Sequence, residues 1–306
     1  MDNLPDPRWR AALDHSRYLA NLLGTRPGLI AELATVWTAP LSAGQLLAAL
    51  EPAATDDDTL KSQLRRLRQH AMAHIALRDL CGLAPLSEVV ESMTLLADVT
   101  TNFALDYHHR QLAATYGEPL DAAGKPQRLL IIGMGKLGGR ELNVSSDVDY
   151  IFVYPSEGDT AGPRRIENYD FFTRLGKRVI AALGEITGDG QVFRVDMRLR
   201  PNGDSGPLVC SLDGLENYFI TQGREWERYA WIKGRTMNAG DNLQPEWVTA
   251  MQKIARPFVF RKYLDFGAIN AMRDLHAQIR REVARRDRAD HIKLGPGGIR
   301  EIEFIA

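Results

Sequence analysis

The chain has little of what marks secreted, membrane-bound and nucleic-acid-binding proteins. Only two of its 306 residues are cysteines, Cys81 and Cys210, and their separation matches no metal or redox spacing. The longest uncharged stretch, 33–50, is interrupted by proline and glycine, and the first ten residues lack the apolar segment of a secretory signal. The 38 basic and 39 acidic residues nearly cancel, which leaves no overall field to attract nucleic acid or anionic lipid. We therefore expect a cytoplasmic protein with neither a membrane nor a nucleic-acid partner.

Three regions that differ in their pattern of apolar residues follow one another along the chain. In the first, apolar residues recur at helical spacing, for example at Leu60, Leu64 and Leu67. In the second, short apolar runs of strand length alternate with glycine turns and one helix, and the third returns to helical periodicity. This order predicts an α+β protein in which a small mixed sheet is flanked by helices. The predicted regions are a helical N-terminal region (1–125), a sheet-containing core (126–215) and a helical C-terminal region (216–306).

Two predicted strands carry acidic residues on one face. The first begins near Asp147, and because Asp149 follows two residues later, both side chains project from the same face. The second strand, 191–200, alternates strictly, with apolar residues at odd positions and Asp196 among arginines at even positions. Neighbouring carboxylates repel each other, and a cation with oxygen ligands such as Mg²⁺ would remove that cost. For 191–200 alone, a solvated surface of ion pairs is the alternative interpretation.

A glycine-rich turn comes just before the first acidic strand. Gly133, Gly135 and Gly138 formally match the G-x-G-x-x-G fingerprint of dinucleotide-binding folds. Too few residues separate Gly138 from the next strand for the crossover helix that a parallel β-α-β unit needs. We therefore predict a turn whose amides, together with Lys136, hold phosphate oxygens near the cation.

Four long blocks of sequence resemble the same protein family. They are GMGKLGGRELNVSSDVDYIFVY (133–154), FRVDMRLRPNGDSGPLV (193–209), GREWERYAWIKGR (223–235) and KLGPGGIREIEF (293–304). In this order they resemble glutamine synthetase adenylyltransferase, a bifunctional adenylyl-transferring and adenylyl-removing enzyme of the nucleotidyltransferase (polymerase-β-like) superfamily. The segment ELNVSSDVD is similar to the N-terminal, adenylyl-removing copy of the catalytic domain, although Tyr150 stands where that family usually has leucine.

The resemblance implies roles for individual residues. Metal ligation would fall to Asp147, Asp149 and Asp196, which would hold two Mg²⁺ ions. Seven further residues would form the phosphate and nucleotide side of the site: Gly135, Lys136, Gly138, Gly139, Ser146, Arg198 and Arg200. For the two arginines, pairing with nearby acids is the alternative.

The remaining family blocks leave the roles of several residues open. Trp226 and Tyr229 are expected in the core. Lys233 and Arg235 either contact phosphate or form structural ion pairs. The carboxylates at 301 and 303 are interpreted as structural.

The implied reaction is phosphorolysis. Inorganic phosphate attacks the phosphodiester of an adenylylated tyrosine on glutamine synthetase, which yields ADP and the restored enzyme. Implied partners are glutamine synthetase, nucleotide, inorganic phosphate and a PII-type nitrogen-signalling protein. Two alternatives stay open: ATP-dependent adenylylation of a protein tyrosine on the same fold, and a catalytically silent regulatory module that binds nucleotide.

Overall fold

The computed structural model describes residues 4–50, 54–238 and 243–260, together with single positions between 273 and 302. The continuous ranges form six helices, then a sheet whose strands are interrupted by helices, then further helices. The helices are α1 (Arg8–His15), α2 (Arg17–Thr25), α3 (Gly28–Ala34), α4 (Ala43–Ala48), α5 (Asp57–Leu80), α6 (Leu86–Tyr116), α7 (Gly135–Gly138), α8 (Asn168–Gly184), α9 (Leu212–Thr221), α10 (Glu225–Trp231) and α11 (Pro245–Val259). The strands are β1 (Leu130–Gly133), β2 (Val148–Tyr154), β3 (Val195–Asp196), β4 (Val209–Ser211) and β5 (Arg235–Thr236).

The sheet is mixed, as predicted. The path of paired strands runs β3-β2-β1-β5, and β4 also pairs with β2. β1 is antiparallel to both β2 and β5, whereas β2 is parallel to β3 and β4. Because β1 and β2 are antiparallel and the one helix between them, α7, has four residues, the glycine turn is not the start of a dinucleotide-binding β-α-β unit. The α+β prediction is confirmed.

Both faces of the sheet are covered by helices, because the central strands are apolar on both sides. Alternate residues of β2, Tyr150, Phe152 and Tyr154, belong to a core that also contains residues of α5, α6 and α8. The intervening residues, Ile151 and Val153, pack in a second core with residues of α9, α10 and α11. This alternation follows from the period of two in strand side chains. Helices from both predicted flanking regions therefore hold the sheet in place.

A buried arginine joins the N-terminal helices to the end of α8. Arg65 on α5 is 1% exposed, and it donates to the carbonyls of Ala182 (3.0 Å), Gly190 (2.8 Å) and Glu185. The last carbonyls of a helix have no partner within that helix, so the guanidinium satisfies groups that would otherwise be buried and unbonded. Burial lowers the pKa of Arg65, which the charges of Glu185 and Asp189 partly oppose.

The strand predicted over 191–200 is shorter than expected. Only Val195 and Asp196 pair with β2, and after them the Arg200 N–H donates to the Met197 carbonyl (3.2 Å) in a turn. The predicted alternation survives at several positions, since Met197 is buried while Arg198 is exposed. Alternation of polar and apolar residues shows which side chains are buried. It does not require that a neighbouring strand is hydrogen-bonded to all of 191–200.

The sheet also extends beyond residue 215, where only helix was predicted. β5 pairs with β1, and the Asn238 side chain accepts from the Ile131 N–H (3.0 Å) and donates to the Leu129 carbonyl (2.7 Å). A strand of two residues carries no periodic signal, so the sequence pattern could not show it. The three predicted regions as domain limits stay a prediction.

The helices and the cysteines also bear on the requirements of a membrane span and of a disulfide. Within the described ranges, no helix combines the length and the apolar character that a bilayer crossing requires. Both cysteines are free thiols, and burial raises the pKa of Cys210 to about 12.

Candidate active site

The sheet brings Asp149 and Asp196 side by side. They are register partners on the parallel strands β2 and β3, so both side chains leave the sheet on the same face. The Oδ2 atom of Asp149 lies 3.7 Å from where a Cβ on Gly135 would be, and the Asp149 carbonyl accepts from the Met134 N–H at 2.9 Å. The acid pair therefore faces the glycine turn, by which we mean residues 133–139.

Asp147 lies outside the paired strands that carry Asp149 and Asp196. It precedes the first residue of β2, and its carboxylate forms an ion pair with the exposed Arg194. Among the described residues, no three histidine, cysteine, aspartate or glutamate side chains are grouped closely enough to hold a metal ion. The structure thus places two of the three predicted ligands together and does not form the expected three-carboxylate group. The metal-binding roles of all three acids stay a prediction.

Asp196 and Arg198 form a tight pair. The carboxylate accepts from the Arg198 backbone N–H (2.9 Å) and from Nε (2.8 Å), and it also contacts Nη2. These bonds, the side-chain bond first, hold the pKa of Asp196 below its usual range despite partial burial. The Arg198 side chain is 72% exposed whereas that of Asp196 is 16% exposed, so the guanidinium covers the acid from the solvent side.

Arg200 has a different environment from Arg198. Its side chain is 12% exposed, and Nη1 donates to the Met197 carbonyl (2.9 Å) and to Asp204 (3.4 Å). Both arginines therefore pair as the alternative interpretation expected, and Arg200 holds the turn that follows β3. Their contact with phosphate stays a prediction.

The glycine turn presents several backbone donors. The first bond of α7 runs from the Gly138 N–H to the Met134 carbonyl (3.2 Å), and the N–H groups of Gly135, Lys136 and Leu137 donate to no acceptor in the described part of the chain. Gly135 has a φ of +55°, a conformation that glycine adopts without strain. Backbone N–H groups beside the half-buried Lys136 are donors that suit phosphate oxygens.

Gly138 and Gly139 are explained by close packing. A Cβ on Gly138 would lie 1.7 Å from the Lys233 carbonyl oxygen and 2.5 Å from that of Gly133. A Cβ on Gly139 would lie 3.1 Å from Glu141 Oε1. The segment after α10 can approach the buried Gly138 this closely only because Gly138 has no side chain. Phosphate contact by these two glycines stays a prediction.

Ser146 lies just before Asp147, half-buried, and its N–H donates to the Asn143 carbonyl (3.1 Å). This bond tightens the loop that leads into β2. A role for Ser146 toward nucleotide stays a prediction.

The block 223–235 is arranged differently from what was expected. Trp226 and Tyr229 are half-buried and belong to none of the described core clusters, so their placement in the core was wrong, and the buried aromatic residue of α10 is Trp231. Arg228 lies on the buried face of α10, and its Nε donates to the Phe258 carbonyl in α11 at 2.8 Å. Helical spacing alone could not show which face this short helix buries.

Lys233 and Arg235 form ion pairs. Lys233 contacts Glu141, and Arg235 binds Asp98 of α6 through two parallel bonds, Nη2 to Oδ1 (2.8 Å) and Nη1 to Oδ2 (3.2 Å). The structural alternative is therefore the one that the geometry shows. Asp98 was not singled out from the sequence, and its only signal there is an acid on an otherwise apolar stretch of helix. The predicted carboxylates at 301 and 303 lie outside the described residues.

The donor set around the acid pair fits a hard divalent cation. Asp149 and Asp196 supply carboxylate oxygens on adjacent strands, and Gly135 of the glycine turn lies beside Asp149. Mg²⁺ is held in many phosphate-transferring sites by one or two carboxylates, with water and phosphate oxygens as its other ligands. Two protein carboxylates are therefore sufficient donors for one such ion.

Comparison with known proteins agrees with these features. The family model for glutamate-ammonia ligase adenylyltransferase matches residues 8–249, and one for GlnD PII-uridylyltransferase matches residues 273–306. A bifunctional glutamine synthetase adenylyltransferase/adenylyl-removing enzyme of Aromatoleum aromaticum is 58% identical over 307 residues, covering 100% of this chain and 32% of that protein. Proteins with the same name from Nitrosomonas europaea and Chromobacterium violaceum are 53% and 54% identical, each covering 96% of this chain and 32% of the relative.

The mixed sheet flanked by helices defines an α+β protein, and the relatives that it matches are named as adenylyltransferases. The chain spans about a third of the length of the curated relatives that it matches. Within that class, it belongs to the glutamate-ammonia ligase adenylyltransferase family.

Proposed function

We propose that this chain removes AMP from an adenylylated tyrosine of glutamine synthetase by Mg²⁺-dependent phosphorolysis. An oxygen of inorganic phosphate bonds to the phosphorus of the AMP group, and the bond from that phosphorus to the tyrosine oxygen breaks. The leaving phenolate takes the proton that the phosphate carried, so the products are ADP and free tyrosine. The observation that carries the proposal is the Asp149–Asp196 pair beside the glycine turn, where the N–H groups of Gly135, Lys136 and Leu137 have no acceptor within the described residues.

Different groups of the chain have different roles in this reaction. The amides of Gly135, Lys136 and Leu137, with the Lys136 ammonium, bind and orient the phosphate oxygens. Asp149 and Asp196 would hold Mg²⁺. When bound, that ion supplies neutralisation of the charge on the attacking phosphate and the leaving phenolate. The exposed Arg198 adds a further positive charge at the solvent side of the site.

The direction of the reaction is supported by the absence of a strong general base. The sequence contains no histidine between His109 and His276, a span that includes every proposed site residue. Inorganic phosphate is an anion at neutral pH and attacks without prior deprotonation, whereas water would need a base. The name of the relatives includes adenylyl removal, which is consistent with this direction.

The test is incubation of the chain with adenylylated glutamine synthetase and Mg²⁺, with and without inorganic phosphate. We expect ADP as the nucleotide product and no release when phosphate is omitted. AMP as the main product would show hydrolysis and contradict the mechanism. Transfer of AMP from ATP to unmodified synthetase would favour the adenylylating alternative.

Regulation is a separate part of the proposal. The match of residues 273–306 to the uridylyltransferase model supports a PII-type signalling protein as a regulatory partner. Titrating such a protein into the ADP-release assay tests this, and an unchanged rate would contradict it.

A further inference from the structure

One face of α6 carries polar residues at helical spacing. Glu91, Thr94, Asp98 and Thr101 follow one another at intervals of three, four and three residues, which keeps them on one side of the helix. Thr94 and Thr101 are fully buried, and the Asp98 side chain is 14% exposed. Each of the four contacts either the loop between the glycine turn and β2 or β2 itself, so we call them the polar stripe of α6.

Asp98 receives two arginines, Arg235 from β5 and Arg140 from that loop. Besides its two bonds to Asp98, Arg235 donates through Nη2 to the Leu137 carbonyl (3.3 Å), within α7. Arg140, two residues beyond α7, reaches the same carboxylate at 3.5 Å and pairs with Glu91. The carboxylate therefore ties both α7 and the residues after it to α6.

Arg140 holds a backbone conformation that needs this support. The N–H of Glu141 bonds to the Lys136 carbonyl (2.9 Å) and the N–H of Arg140 to the Leu137 carbonyl (3.3 Å), which is the Schellman ending of a helix. Arg140 stands at the left-handed position of that motif, with a φ of +57°, where glycine is usual. A non-glycine residue persists there when its surroundings hold it, and the ion pairs with Glu91 and Asp98 do so.

Two further bonds from the polar stripe reach the same region. The Leu142 N–H donates to Thr94 Oγ1 (3.3 Å), and the Thr101 hydroxyl bonds the Tyr150 hydroxyl (2.7 Å). Tyr150 directly follows Asp149 on β2. The chain between the glycine turn and the acid pair is thus held by α6 near both ends, at Arg140 and Leu142 and again at Tyr150.

We propose that Asp98 is a positioning residue, which through Arg140 and Arg235 holds the glycine turn at a fixed distance from Asp149 and Asp196. This role rests on the proposed function, because the turn matters for catalysis only if its amides bind phosphate. An error of about 1 Å in a positioned group lowers catalytic efficiency by roughly a hundredfold. Because the misplaced groups would be those that bind phosphate, the KM for inorganic phosphate should change more than kcat.

The first experiment compares Asp98→Asn, Arg235→Met and the double variant in the ADP-release assay. We expect each single variant to raise the KM for phosphate by about tenfold or more. If the two residues act through their mutual bond, the double variant is no worse than the worse single one. The matched control is Asp159→Asn, which removes the exposed ion pair of Asp159 with Arg165 and should leave KM unchanged.

The second experiment measures amide hydrogen exchange of the free, unsubstituted chain and of each variant. In Asp98→Asn we expect faster exchange of residues 133–142 and unchanged exchange in α9 and α11. Arg140→Gly serves as a second variant, because glycine relieves the left-handed backbone while the tether to Asp98 is lost. It should stay folded and still raise the KM for phosphate.

The outcomes are distinct. If the unsubstituted chain releases no ADP, the proposed function fails. If it is active but the substituted chains keep its KM for phosphate, or lose protection from exchange throughout the chain rather than in 133–142, the positioning role of Asp98 is refuted.

Discussion

Substitution of Asp149 by asparagine is the sharpest test of the acid pair. The change keeps the size of the side chain and removes one of the two adjacent charges. Losing a carboxylate that holds the metal should cost about 4 kcal/mol of transition-state stabilisation. Since each 1.36 kcal/mol is a factor of ten in rate, the rate of ADP release should fall by about a thousandfold.

The same substitution should not destabilise the fold. Register partners on neighbouring strands lie about 5 Å apart, and two unit charges at that distance repel by about 3 kcal/mol at an effective dielectric constant of 20. The Arg198 guanidinium offsets much of this repulsion, so we expect the free energy of unfolding to stay constant or rise by up to about 1 kcal/mol. Urea unfolding measures this quantity beside the rate, with Asp159→Asn as the control.

Two outcomes would refute the reasoning about Asp149. If Asp149→Asn keeps more than about a tenth of the rate, the carboxylate is not a metal ligand, because the loss would be under 1.36 kcal/mol. If the rate falls together with a large loss of stability, the acid is structural.

Three further predictions concern the second acid, the glycine turn and pH. Asp196→Asn should abolish ADP release and shift the melting temperature only slightly, whereas spared activity would leave its strand a surface of ion pairs. Gly138→Ala should destabilise the chain by about 3 kcal/mol in urea unfolding because two backbone carbonyls occupy the space, whereas Gly44→Ala, with no atom within 4 Å, should be neutral or slightly stabilising. Desolvation lowers the pKa of His74 and His108 to about 4 in the folded state, below the unfolded value of about 6.5. The unfolded chain then binds more protons between these values, so stability should fall from pH 6.5 towards pH 4, by up to about 1.4 kcal/mol per pH unit for each histidine, and His108→Gln should reduce the slope.

The sequence pattern predicted the elements whose side chains show strong periodicity. β2 begins next to Asp147, where a strand was predicted, and α8 lies in the region where a helix was predicted between the strands, because burial on two faces or on one stripe leaves a clear signal. The adjacent placement of Asp149 and Asp196 also has a sequence basis. Both lie on strands of one small sheet, and the family likeness linked them before their register was known.

Features that depend on contacts between distant segments could not be read from the sequence. The pairing of Arg235 with Asp98 spans 137 residues, and no local pattern marks either partner. Gly138 looked like part of a phosphate-binding turn, and only the approach of the Lys233 carbonyl shows why a side chain is excluded there. The position of Asp147 outside β2 likewise depends on where pairing with β3 starts.

The bonds of Arg65 affect where this chain can be cut into fragments that still fold. A fragment that starts at the predicted boundary near residue 126 would lack α5, so the carbonyls of Ala182 and Glu185 at the end of α8 would lose their donor. The same cut would remove α6, whose side chains share a core with Phe152 and supply Asp98. Water can replace the lost donors, but the apolar surface that α5 and α6 cover would be exposed at about 25 cal/mol per Å², and a typical domain is stable by only about 5–15 kcal/mol. The sheet therefore shares its core with α5 and α6, and expression trials or gene fusions should keep at least residues 57–238 together.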